Sequence, residues 1–181
     1  MYIAEQLKKK SIAEYLLYMW QVEDLVRAYG WDAERMAEEY IPQFGLDEEK
    51  SRELKGWYEN LIQMMREEGV TETGHLQVNK NILILLTDLH AQLLKSSKHP
   101  FYSAAYYKAL PFMVELRSKS AESQKKNEIE NCFDALYGMM LLKAQKKEVS
   151  AETATAIDNI AKFIGMLSDY YQKEKEGEVE F

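Results

Sequence analysis

The sequence predicts an all-α fold, a single-domain helical bundle of about five to seven helices, with one long or kinked helix among them. Three observations carry this. Only 3 prolines and 8 glycines interrupt 181 residues, which makes long helices easy and turn-rich β architecture unfavourable. Apolar residues recur at three- and four-residue spacing, and no β-alternation of useful length appears. Hydrophobic residues make up 46% and charged residues 29%, enough for one core and too apolar for a disordered chain. The length fits one domain, read as residues 1–175, followed by a charged tail over 176–181.

Each helix has its own start and stop signals. Ser11 can cap a first helix, with Glu14 at the capping-box spacing, and residues 2–9 extend it; Gly30 suits its C-terminal stop. Asp32 can cap a short helix bearing Met36 and Tyr40, which Pro42 ends. A third helix spans about 47–68 under Asp47; Leu54, Trp57, Tyr58, Leu61, Met64 and Met65 form its buried face and Gly69 its stop. A fourth, over about 74–96, starts at Thr73 or a neighbour. The next begins after Pro100, and Pro111 should kink or restart it. The polar run 117–130 lacks proline and glycine. It reads as a loop or as the exposed middle of one helix from 111 to 146, and its Glu, Lys, Gln and Ala content favours the helix. Apolar periodicity resumes at Ile129, Cys132, Phe133, Leu136 and Tyr137. Ser150 can cap the last helix, whose buried face is read as Ile157, Ile160, Ala161, Ile164, Leu167 and Tyr171. The tail "EKEGEVEF" should fray.

The net charge of -7 repels phosphate backbones and anionic membrane surfaces, so nucleic acid and membrane are disfavoured partners. A nucleic-acid adaptor would require the lysines at 8–10 and 125–126 to merge into one face. The single cysteine, Cys132, cannot form an internal disulfide and gives no sign of an oxidising compartment. The sequence begins "MYIAEQLKKK", which lacks the apolar run of a signal peptide. A cytoplasmic protein is the expectation.

The candidate polar cluster starts from an oddity. In "SIAEYLLYMWQVEDLVRAYG", Ser11 to Gly30, Glu23 lies about 20° from Ile12 around the helix, inside the arc of Leu16, Met19 and Val26. A carboxylate there must be paired, hydrogen-bonded or neutral. Arg27 stands one turn on, in the favourable order for an ion pair. The leading reading is a Glu23–Arg27 pair with a tyrosine hydroxyl; the other is a site in which Glu23 lines a cavity, with Asp24 nearby. His90 lies on the flank of its own helix's apolar face, where it could meet another helix. No histidine follows Glu at the Glu-x-x-His spacing, so neither metal nor cofactor is expected. Cys132 reads as a small hydrophobe. No catalytic constellation emerges. The stretch "KHPFYSAAYYKALPF", 98–112, gathers His99, Phe101, Tyr102, Tyr106, Tyr107 and Phe112 around two prolines, and Tyr102, Tyr106, Tyr107 and Phe112 form the candidate interface, because aromatic residues with polar tips are common at interfaces.

The wording of "IAEYLLYMWQVEDLVRA" (12–28) and "NEIENCFDALYGMMLLKAQKKEVSAET" (127–153) resembles an uncharacterised all-helical family of Bacteroidetes bacteria. The likeness spans nearly the full chain and is sharpest at Tyr15, Trp20, Gln21, Glu23 and Asp24. It implies a cytoplasmic α-helical domain and assigns no activity, cofactor or catalytic residue. The leading expectation is therefore a non-enzymatic domain acting through protein contact, as a homodimer. The alternatives are a small-molecule-binding or metal-dependent enzyme centred on Glu23 and His90, and a nucleic-acid adaptor.

Overall fold

Ser11 divides the first helical stretch in two. Its backbone is extended (φ -156°, ψ 114°), so α1 (Tyr2–Lys10) ends before it and α2 (Ile12–Ala28) begins after it. Its hydroxyl accepts from the Glu14 amide at 3.3 Å and lies 3.1 Å from the Ser168 hydroxyl, which itself accepts from the Ala13 amide. A polar joint thus ties the start of α2 to a distant helix. A computed structural model describes residues 2–119 and 121–181. After α2 come α3 (Ala33–Glu39), a 3₁₀ turn (Ile41–Phe44), α4 (Glu48–Glu67), α5 (Gln77–Lys95), α6 (Pro100–Ser118), α7 (Ala121–Lys125), α8 (Glu128–Ala144) and α9 (Ala151–Lys175).

The fold is all-α, but it has nine α-helices among the described residues, not five to seven. Two breaks account for the difference. One is Ser11. The other is in the polar run 117–130, where a single helix from 111 to 146 does not form: α6 stops at Ser118 and α8 starts at Glu128. Asn127 takes an extended conformation (φ -75°, ψ 170°) and accepts from the Glu130 amide at 2.8 Å. The Asn131 side chain donates to the Ser123 carbonyl at 2.9 Å and holds α7 against α8. Asparagine competes for backbone groups and prefers a cap to a helix interior. The part of that expectation falling on Ser120 lies outside the described residues, as does Met1.

Several signals act as expected. Asp32, Asp47 and Ser150 accept from the amides of Arg35, Lys50 and Thr153. Gly30 and Gly69 adopt positive φ just past α2 and α4, a conformation that costs glycine little. α6 runs through Pro111 without restarting. The missing amide leaves the Tyr107 carbonyl without its helical donor, on a residue that faces solvent.

α9 packs against α6, α8, α2 and α5, while α3 and the 3₁₀ turn pack on α4. The buried side of α9 is Ile160, Phe163, Ile164, Leu167 and Ser168; Ala161 faces out and Ile157 is half-buried. The apolar side chains of these elements form one continuous core. Beyond α9, the Glu180 carbonyl accepts from His99 Nε2 at 2.9 Å and Lys98 approaches the Glu180 carboxylate at 3.3 Å, drawing the tail to the α5–α6 connection.

Candidate functional site

Glu23 is fully buried, as its place on the apolar arc requires. Three donors from the start of α5 converge on its carboxylate: the Leu76 amide at 3.0 Å, Asn79 Nδ2 at 2.7 Å and His75 Nδ1 at 2.6 Å. Leu76 is the N-cap of α5 and has no side chain able to cap it. The Gln77 amide is met by Glu68 at 2.6 Å. Two carboxylates from elsewhere therefore cover the positive end of α5, where dipole and unpaired amides favour negative charge.

Arg27 does not pair with Glu23. It reaches Asp24 Oδ1 at 2.7 Å and donates to the carbonyls of Val70, Thr71 and Gly74. It thereby pins the α4–α5 loop that carries His75. Asp24 also accepts from the Tyr137 hydroxyl of α8 at 2.6 Å. Burial, then the hydrogen bond to Asp24, pushes the Tyr137 pKa up, so the phenol keeps its proton and remains a donor.

Trp20 completes the cluster. Its ring stacks on His75 at 4.1 Å with 11° between planes, and Phe133 and Tyr137 meet it edge-on. The His75 side chain is 26% exposed. Because a carboxylate accepts only, Nδ1 carries the proton between them. The ring is thus oriented by a buried acid and a tryptophan face.

His90 does not join this cluster. It is buried between α5, α6 and α9, with Nδ1 2.7 Å from the Tyr102 hydroxyl and Tyr106 and Phe163 around its ring. Burial holds its pKa below the ordinary 6.5, against the opposing pull of Glu128. The Tyr102 and Tyr106 hydroxyls and the Glu128 carboxylate are the titratable groups facing it. The sign follows directly: as pH falls through about 6.5, the unfolded chain takes up a proton that the folded chain refuses, so stability is lost on the acid side. Urea midpoints should drop from pH ~7.5 to ~5.5, and His90→Gln should flatten that slope. An unchanged slope in the variant would show that His90 does not carry it.

The aromatic stretch divides by direction. Tyr102 and Tyr106 turn inward. Tyr106 donates to Glu128 at 3.0 Å, and burial pushes its pKa up to about 12. Phe112 is half-buried, in a groove between α6 and the start of α9. Tyr107 is 64% exposed and shares its face with Phe101 at 80% and Val114 at 59%. Val114 lies beyond the aromatic stretch, although Phe101, Ala104, Tyr107, Pro111 and Val114 recur at helical spacing.

Elsewhere, Cys132 lies buried with its sulfur 3.1 Å from Met113 Sδ, and burial pushes the thiol pKa up. That environment suits a small hydrophobe and opposes a reactive thiolate. Of the lysines weighed for nucleic acid, Lys126 pairs with Asp134 at 2.8 Å. Among the described residues, no three His, Cys, Asp or Glu side chains are grouped to hold a metal ion, and no helix is long and apolar enough to cross a membrane.

A family model described as a domain of unknown function (DUF4924) matches residues 1–178. No curated protein and no solved structure matches the chain.

Proposed function

We propose that this chain, which belongs to the DUF4924 family of domains of unknown function, acts through protein contact and first of all by pairing with a second copy of itself. The carrying observation is the exposed side of α6. Around the helix, Phe101, Lys108 and Glu115 form one edge, Ala104, Pro111 and Ser118 the middle, and Tyr107 and Val114 the other edge, all within an arc of about 140°. Three large apolar side chains on one solvent-facing helix side are the composition of an interface core.

The pattern is self-complementary. Two antiparallel copies of α6 related by a two-fold axis near Pro111 set like edges against each other. Lys108 of one copy then faces Glu115 of the other, twice over, and Tyr107 packs beside Val114. Lys108 has no ion-pair partner among the described residues, whereas Glu115 is shared with Lys119 of its own helix at 3.1 Å.

Sedimentation velocity at micromolar concentration should give about twice the 21.2 kDa chain mass. Tyr107→Glu with Val114→Glu should return it to the monomer. Lys108→Glu and Glu115→Lys should each weaken the dimer, and together restore it. A wild-type chain that stays monomeric at ~100 μM would end this reading.

A further inference from the structure

We infer that a groove far from the Glu23 cluster, between α1 and the corner of the 3₁₀ turn and α4, binds an alkylated ammonium group carried on a small molecule. The groove holds about 740 Å³, within the ordinary range of small-molecule sites. Three aromatic residues from three elements line it: Tyr2 of α1, Phe44 of the 3₁₀ turn and Trp57 of α4. Three charged residues line it too: Glu5, Lys50 and Glu53.

The charges decide the ligand's sign. The Lys50 ammonium stands 3.1 Å from Asp47, the N-cap of its own helix, and is paired there. Glu5 and Glu53 have no cationic partner among the described residues. Among the described residues the lining of the groove therefore carries net negative charge beside aromatic rings. An anion is repelled by it. A neutral apolar ligand uses the rings and gains nothing from the carboxylates. A cation wrapped in methyl groups uses both, because ring faces attract positive charge and the methyls bury apolar area without demanding hydrogen bonds. A compact, strongly hydrated ion such as Na⁺ has no such use for the rings.

The arrangement also accounts for partly exposed rings on three separate elements. Tyr2 and Phe44 are not in ring contact with Trp57. Trp57 instead meets Tyr58 behind it at 5.0 Å, and Phe44 meets Tyr40 at 5.2 Å. Each of these two rings meets a ring that does not line the groove.

Choline and its neutral isostere 3,3-dimethylbutan-1-ol, which differs in carbon for nitrogen, isolate the charge. The readout is the Trp57 indole N–H in a ¹H–¹⁵N spectrum, identified because Trp57→Phe removes it. Choline should shift that signal saturably and bind at least ~10-fold tighter than the alcohol. Glu5→Gln with Glu53→Gln should weaken choline at least ~5-fold and leave the alcohol unchanged; both positions are on the surface, so folding survives. Equal affinity for the two ligands would reduce the groove to an apolar cleft and overturn the inference. So would the lack of a saturable shift below about 50 mM choline. A trimethyllysine peptide binding ~100-fold tighter than choline would overturn the small-molecule assignment in favour of a protein partner.

Discussion

Glu23→Ala should destabilise the fold by about 3–5 kcal/mol, seen as a lower urea midpoint at unchanged slope. The magnitude comes from what the carboxylate leaves behind. Its removal strands the Leu76 amide, Asn79 Nδ2 and His75 Nδ1 at a buried helix start, and a buried donor without an acceptor costs about 1–3 kcal/mol. It also uncovers the positive end of α5. Glu23→Gln keeps one carbonyl oxygen but turns an amide group toward donors, so a smaller loss of about 1–3 kcal/mol is expected. The ordering of the two variants is the sharper test. If Glu23→Gln costs as much as Glu23→Ala, the charge matters and not the acceptor count; if both cost under about 1 kcal/mol, the cluster is not a stabilising unit.

The second large effect falls on α9. Phe163→Ala should cost about 3–5 kcal/mol, the usual range for removing a buried phenylalanine. Phe163 is fully buried, with His90, Tyr102 and Tyr106 at ring-centroid distances of 5.6, 5.7 and 5.7 Å. It is thus shared by α5, α6 and α9, and the cavity opens where three helices meet. For a chain of this length each kcal/mol corresponds to about 2–4 °C, so the melting temperature should fall by roughly 6–20 °C. A fall below ~3 °C would show that neighbouring rings close the gap.

Local signals carried much of the fold. The caps at Ser11, Asp32, Asp47 and Ser150 each need only a side-chain oxygen and an amide three residues on, and all of that information is local. The apolar stripe of α4 is local in the same sense, although Met64 faces solvent and Ile62 is buried in its stead. The breaks at Ser11 and Asn127 were harder to place, because a polar residue inside a helix-forming run reads equally well as surface. Ser11 was recognised as a cap while the residues before it were joined to the same helix. What separates α1 from α2 is the meeting with Ser168, across most of the sequence.

The polar cluster was legible only on one side. Helical angles place Glu23 on the apolar arc of α2 but say nothing of the helix opposite. The nearest cation in sequence, Arg27, was the natural partner, yet its guanidinium has carbonyls to satisfy in the α4–α5 loop. A second signal was present and unused. Asn79 lies on the apolar arc of α5, beside Ile82 and Leu86, as Glu23 does on α2. Two polar residues, each misplaced on its own arc, can meet: Asn79 Nδ2 donates to Glu23, while the buried Asn79 Oδ1 has no partner among the described residues. His90 sits on that same α5 arc three turns further and finds Tyr102 by the same logic. The site residues gathered from sequence were Glu23, Asp24, Arg27 and His90; the structure keeps the first three near one another and replaces the last with His75.

The capping of α5 from outside has a kinetic side. A helix whose first turn is closed by its own serine or aspartate can begin to form alone. The first turn of α5 is closed by Glu23 of α2, more than fifty residues earlier, and by Glu68. That turn should therefore order only after α2 has docked, and its amides should exchange with solvent together with those of α2, as one cooperative unit. In hydrogen-exchange measurements Leu76 would report on the opening of α2, although it belongs to a different helix.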